Sequence, residues 1–208
     1  ITSNFRQAGF GYTDDGGETW TFPEVIDGGV FRSDPVLDSD SEGNIYYNSL
    51  TSNFGDYTCD VYKVEAEGFT WDDGTDAQGG DKQWMVIDKT DGVGNGNIYS
   101  FWTSSFSTCY PGFFTRSTNG NASYEDCVDI TGDPNWGTMA VGPEGELYIV
   151  GEGYGDEIIV AKSSTAMISE LPVSFDFYSE VDLDGELSIY PSVNPSGLMG
   201  QADIDVDV

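Results

Sequence analysis

A turn pattern that returns at a fixed interval is the feature that most constrains this chain. Written Ser/Thr-x-Asp-x-Gly-x-Thr-Trp, it is complete at Thr13, Asp15, Gly17, Thr19 and Trp20. A second copy, Val64, Ala66, Gly68, Thr70 and Trp71, keeps the glycine, threonine and tryptophan but has lost the polar head. The third reads Ser117, Asn119, Asn121, Ser123 and Tyr124. From Trp20 to Trp71 is 51 residues and from Trp71 to Tyr124 is 53, an interval that suits the repeating unit of a β-propeller. In the full copy, Asp15 accepts hydrogen bonds from its own turn and Gly17 takes the positive φ that closes a hairpin. Trp20 then opens the return strand with a large ring to bury.

A second hairpin repeat interleaves with the first. Gly43-Asn44-Ile45-Tyr46, Gly96-Asn97-Ile98-Tyr99 and Gly145-Glu146-Leu147-Tyr148 each start a strand after a Gly/Asp-rich turn, with Gly185-Glu186-Leu187-Ser188 as a weaker fourth copy. Short apolar runs precede them: Val36-Leu37, Trp84 to Ile87, and Met139 to Val141. Four strands per unit follow. The expectation is an all-β chain, a β-propeller of four-stranded antiparallel blades with about three complete blades plus partial ones. Blades fall at about 34–76, 82–130 and 136–182, with fragments at 1–30 and 200–208 and an insertion or long loop at 185–200. Residues 1–208 then form a single propeller domain or part of one. A chain that begins at Ile1 is expected to have lost a leader, and ends that do not complete a blade suggest a piece of a longer polypeptide or an irregular ring.

Charge narrows the partners. With 37 acidic against 7 basic side chains the formal net charge is −30, spread along the chain. Such a surface repels phosphate backbones and anionic lipid, so neither nucleic acid nor membrane insertion is expected, and no stretch approaches the roughly 20 apolar residues of a membrane span. It fits a secreted, extracellular or cell-surface protein in a saline or calcium-rich medium. Cys59, Cys109 and Cys127 lack metal-site spacing, so one disulfide and a free thiol is the simplest count, with Cys109 and Cys127 as the candidate pair. Asn121-Ala122-Ser123 fits an N-glycosylation acceptor as well as turn chemistry.

The Thr13 to Trp20 pattern resembles the Asp box of sialidase-like (BNR-repeat) β-propellers, and Asp34 to Leu50, Lys82 to Phe106, Phe114 to Tyr124, Gly137 to Val150 and Asn194 to Gln201 look like segments of the secreted bacterial type. The resemblance implies that each box joins the third and fourth strands of a blade, away from the ligand, so that Asp15 has a structural role. It also implies what an exo-sialidase needs: three arginines on the substrate carboxylate, a tyrosine–glutamate nucleophile pair and an aspartate acid/base. This chain has three arginines in all, Arg6, Arg32 and Arg116, and Arg32 alone stands just ahead of an inner strand. The clamp is absent.

The loops entering the innermost strands of a propeller line its central face. Here they carry Arg32, Asp34, Asp81, Trp84, Asp133 and Trp136, a candidate sugar-binding rim of carboxylates and indoles. Their plainer role is turn initiation by Asp and wedge filling by Trp. Two acidic turns are calcium candidates: Asp38, Asp40 and Glu42 in one, Asp88 and Asp91 in the other. No organic cofactor is expected. The expected function is a non-catalytic or structural surface module that binds carbohydrate or an extracellular protein. The alternatives are a glycoside hydrolase with catalytic residues partly outside this chain, and a homo-oligomeric subunit of an extracellular filament or layer.

Overall fold

A computed structural model describes residues 6–66, 70–155, 157–182, 184 and 201–207. Gly68 of the second box, the weaker hairpin copy at 185–188 and the expected insertion at 185–200 lie outside the described residues. Three antiparallel sheets make up the structure, and no helix forms among the described residues.

Sheet one runs in spatial order β1 (Ser33–Ser39), β2 (Ile45–Asn53), β3 (Asp56–Val64) and β4 (Thr75–Asp76). Sheet two is β5 (Trp84–Ile87), β6 (Ile98–Phe101) and β7 (Phe114–Ser117), with Val128 bridging back onto Phe114. Sheet three is β8 (Met139–Val141), β9 (Leu147–Glu152), β10 (Ile158–Ser163) and β11 (Phe177–Val181). Before them, residues 6–30 form a loose hairpin through the bridges Gly9↔Val25 and Tyr12↔Thr21.

The hairpin repeat explains the first turn of every sheet. Asp40 N donates to Asn44 O, Asp88 N to Asn97 O and Gly142 N to Glu146 O, so these three turns close on equivalent residues. Gly43, Gly96 and Gly145 hold φ of 88°, 82° and 88° there, a conformation that glycine adopts without the clash a Cβ would bring.

The sheets stack in series, and apolar residues fill each gap. Ala8, Tyr47 and Tyr62, with Phe10, Ile26 and Trp71, join the first hairpin to sheet one. Tyr46, Val61, Ala77, Met85, Ile87 and Ile98 lie between sheets one and two. The largest cluster, including Phe101, Trp102, Phe114, Leu147, Ile149 and Phe175, joins sheets two and three. Sheet two is covered on both faces, which is why every residue of β6 and β7 is buried and alternation disappears there. At one side of the stack β1 packs beside β5 and β5 beside β8.

Two of the three boxes share one hydrogen-bond pattern. Thr13 Oγ1 donates to Asp15 Oδ1 at 2.7 Å while accepting from Gly17 N, and Thr19 N donates to Asp15 Oδ1 at 2.9 Å. Ser117 Oγ, Asn119 Oδ1, Asn121 N and Ser123 N repeat these contacts at 2.9 to 3.3 Å. Where Thr19 Oγ1 donates to Asp15 Oδ2, Asn119 Nδ2 instead donates to Ser123 Oγ, as an amide nitrogen must. Hydrogen bonds from the Thr19 hydroxyl and amide and the Thr13 hydroxyl hold the Asp15 carboxyl well below its ordinary value.

The aromatic ends differ from expectation. Trp20 is 56% exposed because no described residue covers its side of the hairpin. Trp71 meets Phe10 and Tyr47 edge-on at 5.5 and 5.7 Å, and Tyr124 donates its hydroxyl to Asn121 Oδ1. Asn121 is itself buried, with Nδ2 donating to Val61 O, so the sequon side chain stitches sheet two to sheet one.

Candidate functional site

Three β-bulges build one cleft. In sheet one the register slips between Ser33↔Leu50 and Val36↔Asn48, leaving Asp34 and Pro35 opposite Ser49. In sheet three Asn135 and Glu152 exchange both backbone hydrogen bonds and Val150 N donates to Thr138 O, which leaves Trp136 and Gly137 opposite Gly151. In sheet two Trp84 pairs with Phe101 and Thr103 N donates to Asp81 O, so Lys82 and Gln83 face Trp102. The first residue of each bulge is left-handed although none is glycine: φ is 48° at Asp34, 56° at Lys82 and 56° at Trp136. Each such residue costs on the order of 1–3 kcal/mol, and strain of this kind gathers where a side chain must be aimed.

All six bulge residues line a cleft of about 490 Å³, together with Val36, Trp84, Thr138 and the segment Gln201–Asp203. Gln83 is buried, with Nε2 donating to Asp34 O, which ties the first two bulges together. On the far wall Ala202 N donates to Trp136 O, and Thr138 Oγ1 donates to Asp203 Oδ1 at 2.6 Å. Trp84 is 39% exposed at the start of β5, so its ring is available to a ligand.

The sequence candidates divide. Asp34, Trp84 and Trp136 come together in the cleft, whereas Arg32, Asp81 and Asp133 do not line it. Trp84 and Trp136 follow an aspartate at the same offset, yet Trp136 sits on a bulge and Trp84 lies just past one. Arg32 is buried and fully engaged: its Nη2 lies 2.8 Å from Asp27 and 2.6 Å from Asp60, Nη1 donates to Ser49 O, and the guanidinium lies over the Tyr62 ring. Lys82, Gln83, Thr138 and Asp203 are cleft residues that sequence reasoning missed. Lys82 and Gln83 were adjacent to Asp81 in the chain, but which of the three points inward depends on the bulge.

Asp81 is half-buried, and burial followed by the charge of Asp34 raises its carboxyl above the ordinary value. A carboxyl raised in the folded state contributes stability that is complete below the unfolded value and is lost as pH rises through the folded one. At neutral pH the Asp81 charge is therefore a burden on the fold. Asp81→Asn is expected to raise Tm at pH 7 by about 2–4 °C, and the gain should vanish toward about pH 3. Thermal melts of both proteins across pH 3–7 check this, and a gain independent of pH would refute it. Asp133 is likewise raised, by burial and then by Asp129.

The calcium candidates are mostly engaged within the protein. Asp38 pairs with Lys89 and accepts from Ile87 N. Asp40 accepts from Asn44, Tyr46 and Glu42 N. Asp88 is buried and accepts from Thr90 N and Oγ1, while Glu42 and Asp91 are exposed. Among the described residues no three acidic, histidine or cysteine side chains converge as a metal-binding group. Cys109 and Cys127 form a disulfide with Cα atoms 6.2 Å apart, and Cys59 is a buried thiol.

No protein-family model and no curated protein matches the chain. Solved structures do. The intramolecular trans-sialidase from Ruminococcus gnavus, in complex with oseltamivir carboxylate, is 14% identical with a TM-score of 0.51 over 84% of this chain and 40% of that one. A point mutant of the NanB sialidase from Streptococcus pneumoniae is 12% identical, TM-score 0.53, over 84% and 28%. The leech intramolecular trans-sialidase is 13% identical, TM-score 0.54, over 84% and 29%. The chain thus has a sialidase-like fold and spans 28% to 40% of the length of these enzymes.

Proposed function

We propose that this chain belongs to an extracellular, Asp-box type β-propeller and acts as a non-catalytic carbohydrate-binding module through the three-bulge cleft. The observation that carries the reading is the convergence of two indoles, Trp84 and Trp136, with the hydrogen-bonding side chains of Asp34, Lys82 and Asp203 in one cleft. Indole faces stack on sugar rings, and polar groups fix the hydroxyls. Serial stacking of the sheets, with β1, β5 and β8 side by side, supports the propeller. The Cys109–Cys127 disulfide and the net charge of −30 support an extracellular setting.

The arginines argue against sialidase chemistry. No described arginine lines the cleft, and Arg32 and Arg116 are both buried in other hydrogen bonds. A glycan array probed with the wild-type protein should retain it on neutral oligosaccharides, and Trp84→Ala or Trp136→Ala should weaken retention roughly tenfold or more. Retention unchanged in both variants would remove the cleft from the reading.

One observation favours a second reading, a glycoside hydrolase. Asp81 has its carboxyl raised by burial and then by the charge of Asp34, and a carboxyl that holds its proton is what a general acid requires. Absence of any glycoside hydrolysis by the wild-type protein would exclude it, and hydrolysis that survives Asp34→Ala, Asp81→Ala and Asp133→Ala alike would remove these carboxylates as its acid and base.

A further inference from the structure

We propose that a second sugar subsite lies on the other side of Trp136, so that the module takes a chain of sugars rather than one terminal residue. This rests on the carbohydrate reading above.

A separate groove of about 300 Å³ lies between sheets two and three and shares Trp136 with the first cleft. One wall is Thr103–Ser105, just past β6, and the other is the β9–β10 turn with Gly153, Tyr154 and Gly155. Asn135 fixes the floor: its Oδ1 accepts from Ser104 N at 3.2 Å and its Nδ2 donates to Asp133 O at 2.8 Å. The groove is thereby held at a set width without a ligand.

The chemistry repeats that of the first cleft. Trp136 bounds one end, and the Tyr154 ring, 84% exposed, stands at the rim. Two hydrogen bonds internal to the turn shape the backbone on either side of Tyr154. Gly153 N donates to Glu157 O at 3.0 Å, and Gly155 N donates to the Glu157 carboxylate at 3.3 Å. Tyr154 thus stands on a hydrogen-bonded turn at the rim of the groove. Ser104, Ser105 and Glu152 add hydroxyl and carboxylate groups, and the buried Thr103 hydroxyl has no protein partner. Polar walls with an aromatic at each end suit a neutral sugar chain laid across Trp136, one unit on either side. A strongly anionic polysaccharide would be opposed by the net charge of −30.

The test is a glycan array carrying mono- to hexasaccharides of the same series, read with wild type and with Tyr154→Ala. The ring is exposed, so its removal leaves the core intact. Wild type should hold tri- to hexasaccharides at least tenfold better than the monosaccharide, and Tyr154→Ala should erase that gain while leaving monosaccharide retention unchanged. A length gain that is absent, or that survives Tyr154→Ala, overturns the second subsite and leaves the first cleft standing. Absence of wild-type retention on every glycan overturns both.

Discussion

Arg116→Ala is expected to lower stability by about 3–5 kcal/mol, which for a chain of this size is a fall in Tm of roughly 10–15 °C. Arg116 lies in β7 and is 1% exposed. Its Nε donates to Glu125 at 2.9 Å, and its two terminal nitrogens lie within hydrogen-bond reach of five backbone carbonyls, those of Thr165, Ala166, Ile168, Ser169 and Leu171, with one N–H of Nη1 shared between two of them. Those carbonyls belong to the connection between β10 and β11, so one side chain of sheet two holds the outer loop of sheet three. Removing it leaves a carboxylate and several carbonyls without their donor and opens a gap at the Ala166 side of the largest core cluster. Arg116→Lys keeps the charge but cannot fork, so it should fall between wild type and alanine. Thermal unfolding followed by circular dichroism gives the order, and a loss below about 1 kcal/mol for alanine would show that the loop is held by other means.

Gly137→Ala should be nearly as damaging, at about 3 kcal/mol, and should also disable the cleft. A Cβ at this position would overlap the carbonyl oxygen of Val150 and press on Gly151. Gly137 is the second residue of the bulge in sheet three, so relief of the clash must lift Trp136 to Thr138 off β9. The same lift breaks the hydrogen bond from Val150 N to Thr138 O and displaces Asp203, which Thr138 holds. Trp136→Ala provides the contrast, since it should weaken sugar retention with little change in Tm. If Gly137→Ala melts within about 2 °C of wild type and still binds, the close approach between these segments is not a constraint.

Much of the architecture was legible because it is local. The Gly-x-Ile/Leu-Tyr hairpins announce their own turns through residues that need positive φ, and the first and third boxes carry their hydrogen-bonding groups within eight residues. The cleft was half legible. Asp34, Trp84 and Trp136 stood out as chemistry-bearing residues, but a bulge is a relation between two strands, and no composition rule says that Lys82 or Trp136 will accept a left-handed backbone. Arg116 was hidden for a related reason. Its partners lie about 50 residues further along, in a connection that shows no pattern of its own. Arg32 misled because proximity to an inner strand does not reveal two carboxylates already waiting for it.

The three bulges also separate the lining of the cleft from the packing of the core. The first residue of each one has a left-handed backbone and lines the cleft, and here the three letters are Asp, Lys and Trp. The neighbouring residues Met85 and Met139 are apolar and buried in the core. Under the carbohydrate reading proposed above, a change of letter at the first residue of a bulge alters what the cleft accepts while the buried residues between the sheets stay as they are. In such a scaffold ligand preference can drift quickly among descendants whose folds remain superimposable, so shared shape with an enzyme is poor guidance to shared substrate.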